Sequence, residues 1–244
     1  MNNYKIIIEY DGRNYLGWQR QNNSPKTIQE TIENAFNKIL GKEIRLIVAG
    51  RTDTGVHALN QSANFKIERE LNSAKILYSV NSVLPSSITI KKISKVPDNF
   101  HARYSAKKRE YIYRICLSRK SINEQYFHKI NYQLDFNNID KVIGLYTGQK
   151  SFKSLCKNPS DKHNFFCNVS KLDYRLIKSK NELIFSITAN RFLHSMVRAI
   201  IGSIIDAGRG KLEFETIKSK FLKGEKIKTT YLPGKALFLK KIYY

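Results

Sequence analysis

The chain has 244 residues, of which 41% are hydrophobic and 26% charged; this is the composition of a folded globular protein and excludes a disordered or coiled-coil chain. It carries 43 Lys and Arg against 20 Asp and Glu, a net charge of +23, which calls for a polyanionic partner. Its three cysteines, Cys116, Cys156 and Cys167, have no framework spacing, which argues against a disulfide scaffold and fits a reducing cytoplasm.

Met1 to Glu9 holds no apolar run and no small-residue cleavage site, so no secretory leader is expected. Lys5 to Tyr10 (KIIIEY) predicts a strand entering a buried sheet, and Asp11-Gly12 punctuates it with a turn. From Thr27 the pattern turns helical: Ile28, Ile32, Ala35, Phe36 and Ile39 share one face, and Thr27 with Glu30 matches a capping box. Ile44 to Ala49 is strand-like, Gly50 to Val56 is turn-rich, and Ser62 to Ile67 alternates apolar and polar residues. Ala74 to Val83 predicts a second helix, ended by Pro85, and Ile88 to Val96 another strand. Further on, Tyr111, Tyr113, Ile115 and Leu117 alternate on a strand, and Ile139 to Leu145 reads as helix. Leu172 to Leu176 and Leu183 to Ala189 read as strands. Leu193, Met196, Val197, Ile200, Ile201 and Ile204 mark an amphipathic helix. The stretch Phe192 to Ala207 is interrupted by Arg198 and Asp206 and is too short and too charged to span a bilayer. A short helix over Phe214 to Leu222 and a strand over Ala236 to Ile242 complete the pattern.

Strands and helices mix without strict alternation, which predicts an α+β fold in two halves, 1–104 and 105–244. No low-complexity linker separates the halves, so they are expected to share one continuous sheet.

Three segments carry the chemistry. In Gly50-Arg51-Thr52-Asp53-Thr54-Gly55-Val56-His57-Ala58, Asp-x-Gly alone is a turn signal. Yet Asp53 stands in a loop beside Arg51, Thr52 and His57, in a basic protein where a carboxylate near RNA works against affinity, and catalysis gives a reason for it. In Asn99 to Tyr111, cations interleave with aromatics, which suits phosphates and stacked bases as well as it suits a solvated linker. In Arg191 to Arg198, the apolar positions read as core, whereas a cation on that helix wants an anionic partner such as Asp53.

Together with Tyr10-Asp11-Gly12, Tyr15-Leu16-Gly17-Trp18-Gln19-Arg20-Gln21 and Thr27-Ile28-Gln29-Glu30, these segments resemble, in order, the blocks of the tRNA pseudouridine synthase A family. The resemblance implies two RRM-like halves with a merged, mainly antiparallel central sheet flanked by helices. It implies a cytoplasmic homodimer that binds the tRNA anticodon arm and isomerises uridine at positions 38, 39 and 40. By the same resemblance Asp53 matches the catalytic aspartate and Tyr111 the tyrosine that stacks on the target uracil. Arg51 matches an arginine that holds the base out of its helix, and Arg198 one that pairs with the carboxylate. The reaction breaks the C1′–N1 bond and joins C1′ to C5 without redox change, so no cofactor and no metal are expected. The carboxylate could attack the sugar or the base, or move the C2′ proton. The sequence departs from the family's pattern at Thr54, over Lys150 to Asn168, and in the tail Tyr231 to Leu237.

Other readings compete. A non-catalytic RNA-binding protein would use the same charge and aromatics without needing Asp53 or Arg198. A zinc site on Cys156, His163 and Cys167 has irregular spacing and no clear fourth ligand. Gly208-Arg209-Gly210-Lys211 lacks the spacing of a phosphate-binding loop and follows no predicted strand.

Overall fold

The structure is a computed structural model that describes residues 1–22, 24–157, 159 and 164–244. The chain divides into two compact units, 1–109 with 238–244, and 110–237.

The first unit is built on strand β1 (Asn2–Tyr10), which pairs antiparallel with β3 (His57–Ile67) on one side and β4 (Ile88–Val96) on the other. The register sets Tyr4 against Phe65 and Ile6 against Ala63. The alternating buried Tyr4, Ile6, Ile8 and Tyr10 thereby share a face with buried Ala63, Phe65 and Ile67. Helices α1 (Ile28–Leu40) and α2 (Ser73–Val83) complete this unit. Thr27 caps α1, its hydroxyl accepting the Glu30 amide at 3.3 Å, and the face predicted from Ile28, Ile32, Ala35 and Phe36 is buried. Glu33 is buried on that helix too, where its carboxylate accepts the Leu46 amide at 2.8 Å and the Gln29 side chain at 2.9 Å. Those partners explain an acid on an apolar face.

The strand β10 (Leu237–Tyr243) returns to the first unit and lies parallel to β3, with Phe238 opposite His57 and Leu239 opposite Ala58. The predicted halves therefore differ from the two units in two ways. The division falls at 109/110 rather than 104/105, and residues 238–244 group with the first unit. Pairing between strands so far apart in sequence leaves no mark on local periodicity. The predicted strand over Ile44 to Ala49 shrinks to the two-residue β2 (Ile47–Val48) on β3.

In the second unit, the sheet runs β5 (Lys108–Cys116), β9 (Glu182–Ala189), β8 (Phe166–Ile177), β7 (Gly148–Ser151), with the short β6 (His128–Lys129) parallel to β5. Its helices are α3 (Phe136–Tyr146), α4 (Met196–Gly208) and α5 (Phe214–Lys223). Tyr146, Phe152 and Phe221 form an aromatic knot, with ring centroids 4.9 Å apart for Tyr146–Phe221 and 5.4 Å for Phe152–Phe221. Helix α4 is buried along most of its length. It starts at Met196, because Ser195 takes a left-handed conformation at φ 56°. The segment after α5 crosses α4 so closely that a methyl group on Gly202 would fall 1.8 Å from the Thr230 carbonyl oxygen. Asp206 pins that crossing, accepting the Thr230 amide at 2.9 Å and the Thr229 hydroxyl at 3.0 Å.

Gly208 to Lys211 forms the end of α4 rather than a phosphate cradle. Arg209 and Lys211 lie 2.7 and 3.5 Å from the Asp206 carboxylate. Cys116, Cys156 and Cys167 are free and buried, His163 lies outside the described residues, and no metal-binding cluster occurs among the described residues. No described helix is long and apolar enough to cross a membrane.

Candidate active site

The loop Gly50 to Val56 joins β2 to β3, and its backbone is held from both sides. From within the sheet, the Gln61 side chain donates to the Gly50 carbonyl at 2.7 Å. The Tyr10 hydroxyl lies 2.8 Å from the Thr52 hydroxyl. Burial pushes the Tyr10 phenol up to about 12, so it stays a protonated hydrogen-bonding group at neutral pH.

From the other side comes the segment between β1 and α1. The Trp18 amide donates to the Thr52 carbonyl at 3.0 Å, and the Gly55 amide to the Tyr15 carbonyl at 3.3 Å. Within the loop, the Val56 amide closes a turn onto the Asp53 carbonyl at 3.2 Å. Gly12 and Gly17 exist for this contact. A methyl group on Gly12 would sit 2.0 Å from the Val56 carbonyl oxygen, and one on Gly17 2.7 Å from that of Thr52. Gly17 also sits at φ 97°, a conformation that side chains resist. The spacing between the Tyr10-Asp11-Gly12 and Tyr15-Leu16-Gly17-Trp18 blocks is thus the geometry of a clamp. Trp18 anchors it, fully buried, with its carbonyl accepting the Gln29 amide at the start of α1 at 3.0 Å.

His57 closes the loop. Its Nδ1 lies 3.2 Å from the Gly12 amide and 3.1 Å from the Asp11 carboxylate, and its ring stacks on Phe238 with centroids 4.4 Å apart. Asp53 is half-buried on this fixed backbone, Arg51 is exposed two residues before it, and Thr54 faces solvent. Threonine at 54 therefore disturbs no packing.

In the second unit, Tyr111 stands on β5 with the edge of its ring system met by Phe192 at 5.2 Å and an interplanar angle of 90°. Two residues along the same strand face, the Tyr113 hydroxyl donates to the Pro233 carbonyl at 3.1 Å. Burial raises the Tyr113 phenol, against a smaller opposing pull from Arg198. On α4, Arg198 donates through Nε to the Leu232 carbonyl. The divergent tail Tyr231 to Leu237 is therefore the wall that receives both Tyr113 and Arg198. Leu232, Pro233 and Phe192 lie in segments the sequence marks, but it assigns them no individual role; a carbonyl acceptor can belong to any residue type. Structure thus places Arg51 and Asp53 in one loop of the first unit, and Tyr111 and Arg198 in the second unit.

The tRNA pseudouridine synthase family matches this chain over residues 6–105 and 142–244. The chain belongs to that family. It is 38% identical to tRNA pseudouridine synthase A of Thermodesulfovibrio yellowstonii over 255 residues, across 100% of both chains. It is 43% identical to the enzyme of the same name from Caldicellulosiruptor bescii over 216 residues, 87% of each. A solved Cbf5-Nop10-Gar1 complex aligns at a TM-score of 0.40 with 12% identity, covering 83% of this chain and 45% of that one. Arg51, Asp53 and Arg198 lie within the matched segments, while Tyr111 falls in the interval between them. The family assignment also accounts for the α+β class, with mostly antiparallel strand pairing in both units.

Proposed function

We propose that this chain isomerises uridine to pseudouridine at positions 38, 39 and 40 in the anticodon arm of tRNA, with Asp53 as the catalytic carboxylate. The observation that carries this reading is the two-sided clamp on the Asp53 backbone. A carboxylate held at a fixed place in a chain of net charge +23 is arranged to meet an RNA atom, not to bind the polyanion. Membership of the family supplies the reaction class.

In this reading the target uridine is extruded from the RNA, at a cost of about a few kcal/mol, offset in part by phosphate contacts and counterion release. Tyr111 stacks on the uracil, and its T-shaped contact with Phe192 supports a ring held in one orientation. Arg51, exposed beside Asp53, holds the base out, and Arg198 pairs with the carboxylate. Asp53 then attacks the sugar or base, or takes the C2′ proton. The C1′–N1 bond breaks, the uracil turns, C1′ joins C5, the C5 proton is released to water and N1 takes up a proton, which leaves Asp53 as the free carboxylate it began as. The enzyme acts as a cytoplasmic homodimer without metal or cofactor.

The test is tritium release from C5-labelled uridine in tRNA. Asp53→Asn is expected to bind tRNA as the wild type does and to release no tritium above background. Release at a near-normal rate would remove Asp53 from the chemistry. Primer-extension mapping after treatment with the wild type separates this reading from a non-catalytic RNA-binding protein.

A further inference from the structure

The loop Asn99 to Lys107 holds an aromatic ring in water. Tyr104 is 77% exposed, yet its ring is not free to wander. It stacks on His101 with centroids 4.3 Å apart and 30° between planes, and the Arg103 guanidinium lies 5.8 Å from its centre. The His101 Nδ1 accepts the Arg103 and Tyr104 amides at 3.2 and 3.3 Å, so the imidazole is fixed by the backbone it supports.

Beneath the ring lies an unusual amount of bracing for a surface loop. The buried Asn64 side chain accepts the Ala102 amide at 2.8 Å and donates to Asn3, which in turn donates to the Phe100 carbonyl at 2.8 Å. Ser105 and His101 exchange two hydrogen bonds, at 2.8 and 3.1 Å. Arg109 donates to the carbonyls of Arg103 at 2.7 Å and Ala106 at 2.9 Å. The same guanidinium donates to the Ala49 carbonyl at 2.9 Å, one residue before the Asp53 loop. One side chain thereby fixes the aromatic loop and the root of the catalytic loop together.

A rigid loop that keeps a flat ring in solvent forgoes the burial that would stabilise it. Exposed Arg103 sits beside the ring, and exposed Lys107 and Lys108 follow in the same segment. Flat aromatic faces bordered by cations take nucleobases, because every base offers a π-face and its phosphates neutralise the cations. We propose that Tyr104, backed by His101, is a stacking platform for an unpaired base of the substrate RNA, held at a fixed distance from Asp53 through Arg109. This rests on the RNA-modifying reading above. It adds a binding residue that acts on a base other than the one undergoing reaction.

The test compares wild type with Tyr104→Ala, Tyr104→Phe and Tyr104→Trp, using an anticodon stem-loop RNA. Stacking of one base predicts a Kd roughly 10-fold weaker for Tyr104→Ala. Phe and Trp should stay near wild type, and kcat at saturating RNA should not change. The slope of log Kd against log salt should also stay the same, since no charge is removed. An RNA series with a single abasic site at each loop position should contain one member for which wild type and Tyr104→Ala bind equally, which identifies the stacked base. Thermal melting controls for folding.

Equal Kd for Tyr104→Ala and wild type overturns the platform. So does a loss with Tyr104→Phe as large as with Tyr104→Ala, which would make the hydroxyl the contact. A change in sedimentation of Tyr104→Ala without RNA also overturns it, since the ring would then seat a second copy of the chain. If the wild type neither binds nor converts uridine in tRNA, the functional reading itself fails, and the platform with it. A wild type that converts uridine while Tyr104→Ala binds normally defeats the platform alone.

Discussion

Gly17 and Thr52 meet with no room for a side chain between them: a methyl group on Gly17 would lie 2.7 Å from the Thr52 carbonyl oxygen, which already accepts the Trp18 amide at 3.0 Å. The neighbouring atoms are backbone, so the clash cannot be relieved by a rotamer change. Alanine at 17 would also have to adopt φ 97°, a strain of about 1–3 kcal/mol. Gly17→Ala is therefore expected to lower the melting temperature and, because the displaced atoms lie one residue from Asp53, to lower kcat by more than the loss of stability explains. Paired melting curves and tritium-release rates check this. Unchanged kcat in a folded Gly17→Ala protein would mean that the clamp does not set the carboxylate.

Much of this site could be read in the sequence, for a physical reason. Gly12 and Gly17 are needed because backbones touch there, and Asp53 sits in a loop whose residue types are demanded by tight geometry. Such constraints fix residue identity, so they appear as motifs. The α1 face built on Ile28, Ile32, Ala35 and Phe36 was legible because burial follows the helical period. By contrast, the parallel pairing of Phe238 with His57 joins strands far apart in the chain and constrains no residue type beyond an apolar one. The reception of Arg198 by the Leu232 carbonyl was hidden because any residue carries that acceptor. Glu33 illustrates the opposite error: it belongs to the buried face of α1, which a hydrophobic count alone would assign to solvent.

Buried phenols give the protein a defined alkaline limit. Tyr10 is pushed up to about 12 by burial, partly opposed by its hydrogen bonds to Thr52 and Gln61. Burial also raises Tyr113 and Tyr146. The unfolded chain releases these protons near the ordinary tyrosine value of 10.0, while the native protein keeps them, so the unfolded state binds fewer protons and stability falls with rising pH. The contribution is intact below pH 10 and is lost as pH climbs through the folded values. Each such phenol removes about 1.4 kcal/mol per pH unit across its window. Absorbance of tyrosinate against pH is expected to show a cooperative step, above pH 10, that coincides with loss of circular dichroism. In Tyr10→Phe that step should become shallower. Three phenols titrating smoothly in a folded protein would contradict the burial.

Asp206 carries the connection between α4 and the tail that receives Arg198. Its carboxylate is buried and accepts the Thr230 amide at 2.9 Å, the Thr229 hydroxyl at 3.0 Å and Arg209 at 2.7 Å. Burial alone would raise its pKa, but these hydrogen bonds and Lys211 outweigh it and hold the carboxyl below its usual value of 3.8. A depressed folded value means that the carboxylate stabilises the native state at neutral pH, and that this support is lost as pH falls below 3.8 through the folded value. Asp206→Ala leaves the Thr230 amide and Arg209 without their shared acceptor, which costs about 3 kcal/mol. Guanidinium unfolding is expected to show a lower midpoint with the slope unchanged. The tail would then hold Leu232 and Pro233 less firmly against Arg198 and Tyr113, so the rate at saturating tRNA should fall as well, although Asp206 itself touches none of the proposed catalytic groups. Asp206→Asn separates the two effects: it keeps an acceptor for the Thr230 amide while losing the charge that answers Arg209. Recovery of rate but not of full stability in Asp206→Asn would locate the catalytic contribution in the tail's position. A variant pair with wild-type rates throughout would show that the Leu232 contact with Arg198 has no part in the chemistry.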